Sequence, residues 1–231
     1  MIRSIAKFSG GLLAFVCFIA AIVGMTAAVA LAAPDTNEPT VRIGLMTKQF
    51  GLLVESNGNY EIVNVDTNKV QGEYSGSIKT RIGLREGKFV INNTVVEGDR
   101  FRIAPRKSKS MEREERLIEI NNRRYRGVVE VFRTQGSTGV TAVNILPVDD
   151  YVYGLMVRDI SPEWPEHALK AQAVATRTFA LYNVGKHKND GFDLCASSDC
   201  LVYEGQTGED LRIAKAIKDT RGIVLTHQGY L

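Results

Sequence analysis

Three residues with metal-binding side chains lie close together in the last quarter of the chain: His187, Cys195 and Cys200. Two Cys with four residues between them fall at the loose end of zinc-ligand spacing, and an upstream His completes a three-ligand site. The same two Cys could instead form a disulfide, which an exported protein permits, or remain two unrelated thiols. The spacing alone leaves zinc and a disulfide as equal alternatives.

A second group of candidate residues lies on an Ala-rich segment that predicts a helix. Pro165 suits the first turn, where its missing N–H has no partner anyway, and the helix dipole favours the carboxylate of Glu166 there. Strong helix formers with small side chains run from Ala168 to Ala180. We expect two adjacent apolar faces to be buried, one formed by Leu169, Ala173 and Ala180 and the other by Ala171, Ala175, Phe179 and Tyr182.

Gln172 and Arg177 are the polar exceptions on this predicted helix. One interpretation is that they hydrogen-bond to loop backbone, because buried polar groups need partners. The alternative is that they contact a substrate. Trp164, the only Trp of the chain, directly precedes the helix between Pro162 and Pro165.

The remaining sequence predicts the elements that position these residues. From 41 to 145, short apolar segments alternate with turns such as Asn57-Gly58, which is typical of β-strands and hairpins. This part contains no His and no Cys, so we expect a scaffold. After the Ala-rich helix, the last segment predicts another helix and then a strand at 223–227. The predicted fold class is therefore α+β, with a β-rich part at 41–145 followed by an Ala-rich core helix and a helix-strand unit within 146–231.

Residues 1–33 have the pattern of a targeting segment. Arg3 and Lys7 form a charged start, an uncharged and mostly apolar run follows, and Ala30-Leu31-Ala32 provides a small-residue cleavage site. The run is also long enough to span a bilayer, so a cleaved signal peptide and an uncleaved membrane anchor both stay open. Either one predicts that the body lies outside the cytoplasmic membrane, joined through a linker at 34–40.

The composition excludes some classes of partner. The chain has 231 residues, is 44% hydrophobic and 24% charged, and carries a net charge of only +3. These values are ordinary for a globular protein and give no electrostatic footprint for nucleic acid. A mild positive charge suits the anionic cell wall.

The run from Tyr151 to Tyr182 resembles the core motif of the SpoIID/LytB family. Leu169–Ala175 reads LKAQAVA, which matches the family pattern letter for letter, and Arg177–Ala180 matches it nearly so. The resemblance extends over about residues 41 to 231 and implies a SpoIID-like domain. Because the family normally continues with a further strand, it also implies a domain that is incomplete at its C-terminus.

The resemblance further implies an activity on peptidoglycan. Lytic transglycosylases of the family cleave glycan strands that lack stem peptides and leave 1,6-anhydro-muramyl ends. Their catalytic acid is a Glu five residues before the Trp of a Trp-Pro pair, a position that Asp159 occupies here with one methylene fewer. LytB-like members instead enhance a cell-wall amidase. In either case the resemblance implies action at the extracytoplasmic face of the membrane or in the wall.

The resemblance also assigns the remaining candidate residues. Sporulation members carry a His and two Cys as zinc ligands at the place of His187, Cys195 and Cys200, which favours zinc over a disulfide and implies a structural rather than a Lewis-acid role. Substrate contacts are expected from Trp164, Gln172, Arg177 and Tyr203. Tyr203 matches the family's Val-Tyr pair, whereas Leu201 replaces the Gln that usually precedes it.

Overall fold

The protein was analysed as a computed structural model that describes residues 38–76, 78–106 and 116–231. Within these ranges the chain folds as one unit from Glu38 to Leu231. The predicted signal peptide or anchor and most of the predicted linker lie outside the described residues. No helix in the described ranges is long and apolar enough to cross a membrane.

The β-rich part predicted from sequence is confirmed. Among the described residues it forms two sheets, whose strands pair antiparallel except at one edge, where Leu194–Cys195 pairs in parallel with Thr40–Gln49. The first sheet contains, in spatial order, β13 (Leu194–Cys195), β1 (Thr40–Gln49), β12 (Val140–Pro147), β11 (Val128–Arg133), β8 (Arg100–Pro105), β3 (Tyr60–Asn64) and β4 (Val70–Tyr74). The second contains β10 (Arg123–Tyr125), β9 (Ile118–Ile120), β2 (Gly51–Ser56), β5 (Thr80–Arg85), β6 (Lys88–Ile91) and β7 (Thr94–Val96).

The sheets form because apolar residues alternate along the strands. In β2, for example, Leu52 and Val54 are buried while Leu53 between them is only partly buried. The same two-residue period buries Ile62 in β3 and Ile103 in β8, which lie directly opposite each other. One continuous apolar cluster therefore joins the strands to the helices.

The first helix, α1 (Val148–Asp159), follows β12 without a break and was not predicted. Its buried side chains recur at helical spacing and face the core: Val148, Tyr151, Val152, Leu155 and Met156. Asp149 and Asp150 occupy the first turn, where the helix dipole favours anions. The helix therefore ends with Asp159 at the point where the chain leaves the core.

The predicted Ala-rich helix is confirmed as α2 (Glu166–Tyr182), which begins directly after Pro165. Leu169, Ala173 and Ala180 are buried as predicted. The expectation that the neighbouring face is also buried is wrong, because Ala171, Ala175 and Tyr182 are exposed. In the described part of the chain, α1 and α3 (Leu211–Asp219) pack against α2, and they cover only one side of it.

The C-terminal segment agrees only in part with its prediction. The helix α3 is present, and the Asp210 side chain caps it by accepting hydrogen bonds from the N–H groups of Arg212 and Ile213. The strand expected at 223–227 is absent from the described structure, where an isolated bridge between His227 and Tyr230 is the pairing found in this segment. A strand needs a partner for its backbone groups, and no neighbouring strand reaches these mostly exposed residues.

Candidate functional site

Asp159 is the last residue of α1 and lies at the surface. Its side chain is 51% exposed, and its Oδ1 lies 3.3 Å from the Arg158 guanidinium. Arg158 in turn donates from Nε to Glu204 at 3.1 Å and from Nη1 to the Val202 carbonyl at 2.9 Å. The end of α1 is thus fixed to the 202–204 segment, while the Asp159 carboxylate stays accessible.

Trp164 lies on the loop that follows, between α1 and α2, with 44% of its surface exposed. Arg212 of α3 donates from Nη2 to the Trp164 carbonyl and from Nη1 to the Glu163 carboxylate, both at 3.0 Å. These two contacts attach the loop to α3 through the Glu163 side chain and the Trp164 backbone, and they leave the indole partly open to solvent. The structure therefore places Asp159 at the end of α1 and Trp164 on the anchored loop that follows it.

Arg177 is buried, and its guanidinium is used inside the protein. Nε donates to Asp149 at 2.7 Å, and the other nitrogens donate to backbone carbonyls of Ile217, Thr220 and Ile223. Burial raises the pKa of Asp149, and the ion pair with Arg177 acts against that shift. The partners of Arg177 are thus one carboxylate and three backbone carbonyls in and after the last turn of α3. They tie α1, α2 and the end of α3 together.

Gln172 and Tyr203 lie in different surroundings. Gln172 is partly exposed on α2 and donates to the Thr176 hydroxyl at 3.2 Å. Tyr203 is buried, and its hydroxyl donates to Asn144 Oδ1 at 3.1 Å, turned toward β12 rather than toward solvent. Burial raises the pKa of Tyr203. Neither side chain shares a described contact with Asp159.

The three residues predicted as metal ligands come together in the structure. Cys200 Sγ lies 3.1 Å from Cys195 Sγ and 3.4 Å from His187 Nε2, and both Cys are free thiols. A fourth donor joins them, since Asp199 Oδ2 lies 3.1 Å from His187 Nε2 and 3.9 Å from Cys195 Sγ. All four donor atoms lie within 4.8 Å of one another. Asp199 was not predicted as a donor from the sequence, although its position directly before Cys200 could have indicated it.

Local folding holds this cluster in shape. The short strand β13 pairs in parallel with β1 and puts Cys195 opposite Gly44. Gly44 is required there, because a Cβ atom at this position would lie 2.6 Å from the Phe192 ring. The His187 ring stacks on Phe192 with a centroid distance of 5.3 Å, and its Nδ1 faces Asp190 Oδ2 at 3.6 Å. The imidazole is therefore oriented with Nε2 toward the thiols.

The donor set fits a bound metal ion on two observations. Two thiols, an imidazole and a carboxylate are ligands that Zn²⁺ takes in proteins. In addition, the buried Tyr151 hydroxyl has no hydrogen-bond partner among the described residues, and burial, together with the charges of Cys200 and Cys195, raises the pKa of Tyr151. An unpartnered hydroxyl within electrostatic reach of both sulfurs suits a site whose thiols become thiolates.

Two clefts lie next to these groups. The larger, of about 930 Å³, is lined on one side by His187, Cys195 and Asp199 and on the other by the ends of β1, β11 and β12. Asp159 and Trp164 do not line it. A second cleft of about 490 Å³ has polar walls that include Glu204, the partner of Arg158. The polar cleft is thus linked to the end of α1 through the contact between Arg158 and Glu204.

Comparison with known proteins gives two kinds of similarity. The family model described as SpoIID, stage II sporulation protein, matches residues 136–227. An uncharacterized protein of Brachyspira hyodysenteriae is 39% identical over 88 residues, covering 38% of this chain and 24% of that protein. The amidase enhancer of Bacillus subtilis is 28% identical over 148 residues, covering 64% of this chain and 19% of that protein. The matches span less than a quarter of either relative, and no solved structure matches the chain.

Proposed function

We propose that this protein, whose residues 136–227 match the SpoIID family model, is a lytic transglycosylase of the cell wall. Its substrate is peptidoglycan glycan strands without stem peptides, and its products carry 1,6-anhydro-muramyl ends. It acts outside the cytoplasmic membrane, in the wall or held at the membrane surface by residues 1–33.

The observation that carries this proposal is the presentation of Asp159. The carboxylate lies at the sequence position of the family's acid, five residues before Trp164, and both side chains are exposed, Asp159 at the end of α1 and Trp164 on the loop that follows. Arg158 fixes the end of α1 to the rest of the fold, and Arg212 fixes the loop. A reacting group that is held in place in this way can be positioned against a glycosidic bond.

The chemistry needs one carboxyl group in two protonation states. Protonated Asp159 donates to the leaving glycosidic oxygen, and the resulting carboxylate then accepts the proton of the muramyl C6 hydroxyl as that oxygen attacks its own anomeric carbon. A carboxyl group stays protonated near neutral pH only in apolar surroundings. In this proposal the bound glycan strand would cover the half-exposed Asp159 side chain and exclude water from it. Asp159 has one methylene fewer than the Glu of the family, and this limits the expected rate, because a misplacement of about 1 Å costs on the order of a hundredfold in rate.

A second candidate function is the enhancement of a cell-wall amidase. The surroundings of Asp159 also suit this function, because its side chain is half exposed and forms an ion pair with Arg158. Such a surface ion pair needs no catalytic role. The Bacillus subtilis relative is named an amidase enhancer. In this reading the partner is a cell-wall amidase, and the exposed loop would contact it or the glycan.

We also propose that the cluster of His187, Cys195 and Cys200 binds zinc. Bound there, zinc would supply a cross-link between the segment after α2 and β13. The protein would orient the His187 imidazole for this through its contacts with Asp190 and Phe192. Its role in this proposal is structural, since Asp159 does not line the cleft beside the cluster.

The test compares the protein with Asp159→Ala and with Asp99→Ala, a matched control that removes an exposed Asp far along the chain. Each is incubated with stem-peptide-free strands, and products are identified by mass spectrometry. Each is also added to a cell-wall amidase acting on intact peptidoglycan. Anhydro-muramyl ends that disappear only in Asp159→Ala support the transglycosylase. Amidase stimulation without any strand cleavage would replace that proposal with the enhancer.

A further inference from the structure

The donor atoms of the metal cluster are gathered close to the spacing of a complete coordination shell, all within 4.8 Å of one another. Ligand atoms at zinc distances of about 2.0–2.3 Å in a tetrahedron lie about 3.3–3.8 Å apart. Cys200 Sγ lies 3.4 Å from His187 Nε2, and the two sulfurs lie 3.1 Å apart. Asp199 Oδ2 continues this pattern at 3.1 Å from the imidazole and 3.9 Å from Cys195 Sγ.

We infer that Asp199 is the fourth ligand of the proposed metal site, which makes it a closed site with no position for water or substrate. This inference rests on the proposed metal site and extends it by one residue. Four protein ligands are typical of structural zinc sites, whereas catalytic sites keep a position open. A closed shell would therefore leave the metal without a Lewis-acid role in the cleft it borders.

Charge balance supports the assignment of Asp199. Two thiolates, one carboxylate and one divalent cation leave the shell with one excess negative charge. Lys186 supplies the compensating charge, because its Nζ lies 3.1 Å from the same Asp199 Oδ2 that faces the other donors. The lysine also donates to the Asp199 backbone carbonyl at 2.6 Å, which holds the residue in this orientation.

The position of Asp199 also gives its loss a distinct consequence. Cys200 is buried, whereas Asp199 is largely exposed and lines the cleft of about 930 Å³. Removing the Asp199 carboxylate would therefore open the metal toward that cleft. An external ligand small enough to enter the cleft would then bind the metal directly.

The experiment uses Co²⁺ in place of zinc, because its absorption spectrum reports coordination. The protein, Asp199→Ala, Asp199→Asn and the neighbouring control Ser198→Ala are loaded with Co²⁺ and titrated with azide. We expect the protein and Ser198→Ala to bind one Co²⁺ with a spectrum that azide does not change. Loss of a contact that merely supports a metal ligand costs up to about a hundredfold in affinity. We therefore expect Asp199→Ala to bind Co²⁺ on the order of a hundredfold more weakly, and its spectrum to shift with azide.

The outcomes separate this inference from the metal site itself. An azide shift in the unmodified protein, or unchanged affinity in both Asp199 variants, would overturn Asp199 as a ligand while the metal site stands. Failure of every protein to bind Co²⁺ or Zn²⁺ would overturn the metal site and leave the cell-wall activity to its own test. If Asp199→Ala does not fold, the azide response of the unmodified protein and of Asp199→Asn decides.

Discussion

Replacing Arg177 by Ala should destabilise the fold strongly, and the cause can be worked out from its contacts. The change removes the ion pair at 2.7 Å with the largely buried Asp149 and three hydrogen bonds to backbone carbonyls. Breaking a buried ion pair by removing one partner costs about 3–5 kcal/mol, because the other charge loses its compensation. The half-exposed Arg221, whose Nε lies 3.9 Å from Asp149 Oδ2, would replace only part of it. That loss is a large fraction of the 5–15 kcal/mol by which domains are typically stable.

The pH dependence of this loss is also determined by the contacts. Burial already raises the pKa of Asp149 although Arg177 acts to lower it, so the folded form binds this proton more tightly than the unfolded chain does. The contribution of Asp149 to stability therefore falls as pH rises through the shifted range. Without Arg177 the pKa of Asp149 rises further. The deficit of Arg177→Ala should be largest near neutral pH and shrink as acid protonates the stranded carboxyl group.

The assay is urea unfolding of the protein, Arg177→Ala, Asp149→Asn and the double variant at neutral and acidic pH. The double variant should lose less free energy of unfolding than the sum of the two single changes, because Asp149→Asn removes the uncompensated charge. A loss below about 1 kcal/mol in Arg177→Ala, as for a surface ion pair, would refute this reasoning. It would return Arg177 to the candidates for substrate contact.

Three further predictions follow from other contacts. Asp190→Ala should weaken metal binding about 10–100-fold in a chelator competition, because it removes the carboxylate that orients the imidazole; unchanged affinity would show that the contact is not used. Tyr203→Phe should lower the free energy of unfolding by about 1–3 kcal/mol in urea, since it leaves the buried Asn144 oxygen without its donor, and a neutral result would contradict that. Arg212→Ala should lower anhydro-product formation while costing less than about 1 kcal/mol of stability, because it frees the Trp164 loop through exposed contacts; unchanged turnover would mean that the loop needs no anchor.

The Ala-rich helix α2 was placed correctly from its sequence, but the burial of its faces was predicted only in part. Helix formers and the Pro165-Glu166 start placed α2 correctly, because these preferences are local. The burial of its second face was predicted wrongly, since Ala171 and Ala175 are exposed. Ala is small enough to be tolerated on either surface, so its spacing does not tell how many neighbours cover a helix.

Other elements depended on long-range contacts. The helix α1 was missed although Val148, Tyr151, Val152 and Leu155 recur at helical spacing, because β-branched and aromatic residues also suit strands. The strand expected at 223–227 has the right residues but no neighbouring strand. Asp199 was missed as a donor because an exposed acidic residue ordinarily reads as solvated, and only the folded loop turns its carboxylate toward the thiols.

The most direct test of the central claim is the fate of solvent oxygen when the protein cleaves stem-peptide-free glycan strands. A hydrolase adds an oxygen from water to the new sugar end, whereas a lytic transglycosylase closes the end with the sugar's own C6 oxygen. In isotopically labelled water, we expect anhydro-muramyl products without label from the unmodified protein and from Asp159→Glu, and none from Asp159→Ala. Labelled reducing ends, or anhydro products that persist in a folded Asp159→Ala variant, would contradict the role of Asp159 as the single acid and base.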